Sequence, residues 1–178
     1  MYSAAVANDK GEFAPPRFIA EGELSRLAKN LRILGFDCAY SGGFSLPETV
    51  VQALREDRIL LTCKPVAETE KLQVHRINSA EPRHQLTATV DAFSLSSCFH
   101  PFSRCLECNR QLRPAPTCTD ILPESVRERG LPVFNCPQCG RYYWEGSHVQ
   151  RMRERLSEWG LSLPKSSSVL SEGSVDDR

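Results

Sequence analysis

Two CxxC pairs, Cys105–Cys108 and Cys136–Cys139, stand at the ends of the 27-residue stretch from Asn109 to Asn135. A two-residue spacer folds into a tight knuckle that aims both thiolates at one ion, and Pro137 and Gly140 suit the second knuckle. Four thiolates make a closed tetrahedral zinc site, which holds a fold together and keeps no open position for a reacting water. The competing readings are a redox dithiol or an incidental pairing. Cys38, Cys63, Cys98 and Cys118 are scattered and read as small buried hydrophobes or incidental thiols.

A second set of residues is acidic. Glu21 follows a short apolar run, Asp37 lies in a second one, and Glu48 opens the helix after it. In open parallel sheets ligand sites form at the carboxyl ends of strands, where carboxylates can hold magnesium or manganese and the ion can activate water against a phosphodiester. The alternative for each carboxylate is a solvated cap at a strand end or in a first helical turn.

A third set is basic. Arg26, Lys29 and Arg32 recur at helical spacing, Arg104, Arg110, Arg113 and Arg141 surround the knuckles, and Phe102, Tyr142, Tyr143 and Trp144 lie close by in sequence. Guanidinium groups beside stackable rings suit single-stranded RNA. The alternative is a solvated helix face and a ribbon whose rings pack its own small core.

Composition bounds these readings. The 178 residues include 40% hydrophobic ones, enough for one ordinary domain with a small appendage. The 22 basic and 22 acidic side chains cancel, so nucleic-acid binding must rest on a local basic face. No apolar run approaches the roughly 18 residues of a membrane span, and Met1 to Pro16 lacks the layout of a secretory signal. A soluble, cytoplasmic protein without a membrane partner is expected, in which paired cysteines bind metal rather than form disulfides.

The positioning elements follow from periodicity. Residues 1–16 read as a flexible leader. Arg17–Ala20 reads as a buried strand, followed by a helix on which Leu24, Leu27, Ala28, Leu31 and Leu34 share one stripe, with Gly35 as its stop. Phe36–Tyr40 reads as a strand, Leu46 to about Glu56 as a helix, and Ile59–Thr62 as the clearest strand. A short helix is expected over Pro65–Lys71, a half-exposed strand over Leu72–Ile77 and a helix within Ala80–Ser94. Strands alternating with helices imply an α/β fold with a mainly parallel sheet. The pattern breaks near residues 95–103, which divides an α/β domain over 17–97 from a zinc ribbon with a terminal helix, Ser147–Trp159, over 98–160. The serine-rich residues 161–178 read as a disordered tail.

Four stretches now carry a resemblance. They are the run from Arg17 to Asp37, Arg58-Ile-Leu-Leu-Thr62, Pro101-Phe-Ser-Arg-Cys-Leu-Glu-Cys-Asn109, and Cys136-Pro-Gln-Cys-Gly-Arg-Tyr-Tyr-Trp-Glu-Gly-Ser-His148. In this order they resemble the Mut-7-C RNase domain. The resemblance implies a PIN-like α/β nuclease fold with an appended zinc ribbon, cleaving RNA with a divalent metal held by acidic side chains. It also implies departures. The family's aspartate after the first strand is here Glu21, Asp37 matches directly, and the aspartate expected after the third strand is replaced by Lys64, with Glu68 or Glu70 as substitutes further on. A cation at a ligand position opposes a metal. Two expectations result: a metal-dependent ribonuclease using Glu21, Asp37 and Glu48, or an impaired RNA-binding or protein-interaction module in which Lys64 meets a phosphate.

Overall fold

Alternation along three short apolar runs builds the centre of the molecule. The computed structural model describes residues 6–7, 13–116 and 121–164. Strands β1 (Phe18–Ala20), β2 (Cys38–Tyr40), β3 (Ile59–Thr62) and β4 (Val74–Arg76) form one parallel sheet in the order β2-β1-β3-β4. Successive side chains point to opposite faces. Phe18, Ala20, Ile59 and Leu61 therefore enter one core, while Ile19, Leu60 and Val74 enter another. All four residues of β3 are buried, as the clearest apolar run predicts.

Helix α1 (Ser25–Ile33), entered through a 3₁₀ turn at Gly22–Leu24, lies with α3 (Pro82–Ala92) on the first face. Its leucine stripe, Leu24, Leu27, Leu31 and Leu34, is fully buried there. Helix α2 (Leu46–Glu56) covers the second face through Val50 and Ala53. Its start is fixed by a capping box in which Glu48 accepts hydrogen bonds from the N–H and Oγ of Ser45, both at 2.7 Å.

The helix expected over Pro65–Lys71 does not form. Thr69 closes a tight turn instead, its Oγ1 accepting from the N–H groups of Lys71 and Leu72, and Thr69 pairs with Leu72 in an isolated bridge. Threonine side chains that bond nearby backbone compete with helix in this way. Glu68 Oε1 accepts from Val74 N at 3.1 Å, at the amino end of β4, so it does not replace the missing aspartate beside Lys64.

A second, antiparallel sheet joins β5 (Arg113–Ala115), β6 (Val133–Asn135) and β7 (Tyr142–Trp144) in that order. The short helix α4 (Glu124–Glu128) was not legible from the sequence. It brings Leu122 and Val126 onto Val133, with Tyr142 and Trp144 against them. These rings pack the ribbon, as the second of the two sequence readings held.

Helix α5 (Ser147–Glu158) leaves the ribbon and returns to the α/β core. Leu156 is fully buried among the side chains of that core, and Leu161, from the stretch read as a tail, joins it. Most of the leader, the end of the tail and Cys118 lie outside the described residues. Leu156→Ala is expected to cost about 3 kcal/mol, the usual range for a fully buried leucine. Urea unfolding checks this, and an unchanged midpoint would show that the helix does not lock the core.

The crossing between the two sheets is tied to the end of α1. His100 N donates to Leu34 O at 3.0 Å and Phe102 N to Ile33 O at 2.8 Å. Gly35 has φ +98°, and a Cβ there would stand 2.3 Å from the His100 carbonyl oxygen, so only glycine admits this approach. Among the described residues no helix is long and apolar enough to cross a membrane.

Candidate functional site at the carboxyl ends of the parallel sheet

Glu21 emerges from β1, its N–H donating to Leu61 O at 3.1 Å. That bond turns the side chain inward, where it is 3% exposed. Oε1 accepts from Cys63 N at 3.2 Å; Oε2 is buried without a hydrogen bond, and its nearest cation is Lys64 Nζ at 3.6 Å. The 3₁₀ turn after Glu21 brings Glu23 round, so that ligand atoms of Glu21, Glu23 and Cys63 lie within 4.8 Å of one another. Burial and the charges of Glu21 and Glu23 push the Cys63 thiol up, so it stays protonated at neutral pH. A shallow cleft of about 480 Å³ opens beside this cluster, lined by Glu23, Cys63, Arg76, Asn78 and Gln85.

Sequence reasoning passed over Glu23 and Cys63. The signal was there: Glu-Gly-Glu directly after a strand, and the residue after Thr62 at the end of the neighbouring strand.

The other two predicted carboxylates are elsewhere. Cys38 pairs with Phe18, so Asp37 precedes β2 and sits at the amino end of the sheet. Glu21 is four residues further along the strand direction, about 13 Å away at the usual rise per residue. Asp37 is occupied there. It accepts short hydrogen bonds from Arg58 Nη1 and, at 2.8 Å, Asn109 Nδ2, with Arg17 Nε at 3.8 Å and Arg104 Nη1 at 4.0 Å. Burial alone would raise its carboxyl, but the bonds from Arg58 and Asn109 and the charges of Arg58 and Arg104 hold it below the ordinary range. Glu48 is exposed and serves the capping box described above. The three carboxylates proposed from sequence do not converge on one ion.

The basic residues also divide. Arg32 is buried, its guanidinium donating to the carbonyls of Cys38 (2.9 Å), Leu106 (2.6 Å) and Glu107 (3.1 Å). Arg104 donates to the carbonyls of Gly35 and Asn109, each at 2.9 Å. Both join the two sheets and turn away from solvent, so neither is available to RNA. Lys29 pairs with Glu107 at 3.0 Å. Arg26, Lys64 and Arg141 are exposed.

The four cysteines form a separate centre. All four sulfurs lie within 4.8 Å of one another, and Cys105 and Cys139 are 3.8 Å apart, about the edge of a tetrahedron of 2.3 Å zinc–sulfur bonds. The two knuckles match. Asn109 N donates to Cys105 O and Gly140 N to Cys136 O, with Asn109 at φ +61° and Gly140 at φ +70°. Burial raises the Cys105 thiol, but the Tyr143 hydroxyl at 3.1 Å and the N–H groups of Cys108 and Glu107 outweigh it and bring it to about 7. The hydrogen bond shared with Cys139, desolvation and the Cys105 charge push Cys108 up to about 12. Ionising the tetrad without a cation is thus opposed after the first proton, and the donor set fits one closed metal site.

A parallel α/β sheet with an acidic pair and a lysine at its carboxyl edge, joined to a four-cysteine ribbon at the opposite edge, defines an α/β protein with an appended ribbon whose donor set fits a metal. The chain belongs to the Mut7-C RNAse domain family, whose model matches residues 16–156. Comparison with curated proteins and with solved structures returns no match. Family membership supports a nuclease-like, RNA-related function.

Proposed function

We propose that this chain binds RNA at the carboxyl edge of its parallel sheet as a catalytically impaired member of the family, with structural zinc in the four-cysteine ribbon. The ammonium of Lys64, 3.6 Å from the buried Glu21 carboxylate, carries the reading. Glu21 and Glu23 are the carboxylates left to hold magnesium or manganese, and these hard cations want oxygen donors, which a protonated Cys63 does not supply. A cation beside the better-buried carboxylate opposes a second cation. The residues therefore fit a catalytic divalent ion poorly. Lys64, half-exposed, is free to exchange the Glu21 contact for a phosphate oxygen, while Arg76 adds positive charge in the adjoining cleft.

One observation favours turnover instead. Glu21 Oε2 is buried without a hydrogen-bond donor, which is how an unfilled ligand atom looks. Binding and cleavage of a single-stranded RNA, with manganese and then with chelator, separate the readings. Binding without chelator-sensitive cleavage supports the binding module; cleavage lost in chelator and in Glu21→Gln overturns it.

Lys64→Asp gives the sharper test. Restoring a carboxylate beside Glu21 is expected to weaken RNA binding several-fold and to lower the slope of log affinity against log salt by about 0.7, one single-strand phosphate contact. Manganese affinity, read by titration calorimetry, is expected to rise in the same variant. An unchanged salt slope would remove Lys64 from the RNA surface.

A further inference from the structure

Tyr40 and Phe44 are large aromatic residues left facing solvent, 42% and 58% exposed. They stand at the end of β2 and in the loop after it, at the same sheet edge as Glu21 and Lys64. Exposed rings cost solvation, yet the backbone beneath these two is held from several sides. Tyr40 Oη donates to Gly22 O at 2.8 Å, one residue from Glu21. The ring lies against Gly42 so closely that a Cβ there would be 2.4 Å from Tyr40 Cε1. Below the loop, fully buried Ser41 donates its N–H (3.0 Å) and Oγ (3.2 Å) to Ala20 O, and Thr49 Oγ1 donates to Ser41 Oγ at 2.9 Å. Phe44 N donates to Ser41 O at 2.9 Å, and Gly43 takes φ +98° to allow that turn.

The sheet order β2-β1-β3-β4 lays the edge out in sequence: the Tyr40 ring, the Glu21 carboxylate, the Lys64 ammonium and the Arg76 guanidinium. The Tyr40 hydroxyl reaches Gly22 O, next to Glu21, and the Lys64 ammonium stands 3.6 Å from Glu21 Oε2, so ring and cation approach Glu21 from the two neighbouring strands, with Arg76 one strand beyond Lys64. A rigid ring with cations next to it suits an unpaired nucleotide, whose base stacks on the ring while its phosphates meet the cations. Bases inside a duplex are already stacked and offer no free face.

We infer that Tyr40, with Phe44 beside it in the chain, is a stacking platform for an unpaired base of single-stranded RNA whose phosphates run past Lys64 towards Arg76. The inference rests on the RNA-binding reading of this edge and adds the strand state of the ligand and the residue that selects it. Because Tyr40 is fixed before binding, little ordering entropy opposes the stack.

The test uses the full chain with a short single-stranded RNA carrying one 2-aminopurine, and a duplex of the same sequence as competitor. Binding is expected to quench the fluorescence, and the duplex is expected to compete poorly. Tyr40→Ala is expected to lose the quench and about tenfold in affinity, in line with one base–ring stack. Tyr40→Phe keeps the ring without the Gly22 bond and is expected to retain both signals, which separates stacking from a folding defect. A Tyr40→Ala chain that quenches and binds like the unsubstituted one overturns the platform even when Lys64→Asp weakens binding. If the unsubstituted chain binds neither RNA, the RNA-binding reading fails and the platform with it.

Discussion

Removing the metal from the four cysteines, by chelator or by Cys136→Ser, is expected to unfold the ribbon while the parallel sheet keeps most of its far-ultraviolet circular dichroism. The ribbon has three strands of three residues each and a core built on Leu122, Val126 and Val133, too little apolar burial to fold such a unit alone. In small four-ligand zinc units the metal supplies about 10–16 kcal/mol, so its loss outweighs every other contact the ribbon makes. Metal-free sulfurs within 4.8 Å of one another would also oppose shared ionisation, as the rise of Cys108 to about 12 shows. Metal content measured alongside limited proteolysis checks this. The expected result is one zinc per chain and, after chelation, new cleavage sites between Cys105 and Trp144. A metal-free chain that resists protease as the loaded one does would make the ion adventitious.

The second large effect belongs to Asp37. Asp37→Ala is expected to cost about 3 kcal/mol, because it removes the one carboxylate shared by Arg58, Arg104 and Arg17 and leaves partly buried guanidiniums facing one another. Arg58 is 8% exposed and keeps only Glu56, at 2.7 Å, as an anionic partner. The pH dependence has a defined sign. The Asp37 carboxyl is held below its ordinary value of 3.8, so its contribution is complete above that value and is lost as pH falls through the lower folded-state value. Thermal melts from pH 6 downward are expected to show a steeper fall in stability below about pH 4 in the unsubstituted chain than in Asp37→Asn. Parallel curves for the two chains would remove Asp37 from the acid transition.

Much of the architecture was legible because short apolar runs, helical periodicity and cysteine spacing each mark an element and the face it buries. Ile59–Thr62, the leucine stripe of α1 and the two knuckles are found where pattern and spacing put them. The candidate carboxylates were less legible, because their placement turns on where a strand begins. Reading β2 from Phe36 puts Asp37 inside the strand. The strand begins at Cys38, so in a parallel sheet Asp37 faces the end opposite Glu21. Glu48 was legible in a different sense, since Ser45-x-x-Glu48 is itself a capping-box pattern and its hydrogen bonds are those of a helix start. Arg32 was misread as surface charge because helical spacing locates a side chain on a face but not the segment that later covers it, and Arg104 because nearness to a knuckle in sequence does not show which carbonyls its guanidinium will meet. Here the covering segment comes from more than seventy residues away in the chain, through Leu106 and Glu107 against Arg32. The helix missing from Pro65–Lys71 shows a local contest, in which Thr69 satisfies the backbone more directly than a helical turn would.

The close approach of Gly35 to the His100 carbonyl bears on how this architecture can be taken apart. Helix ends usually meet solvent or a cap of their own; here Ile33, Leu34 and Gly35 give their carbonyls to Phe102, His100 and Arg104. The ribbon is therefore no interchangeable cassette. A chain cut before His100 would leave those carbonyls unanswered and strip the Arg32 guanidinium of the Leu106 and Glu107 acceptors, and a ribbon grafted elsewhere would lose the helix end that orients it. Excision at this seam is expected to hand to water a helix end and a guanidinium that the two parts now satisfy for each other.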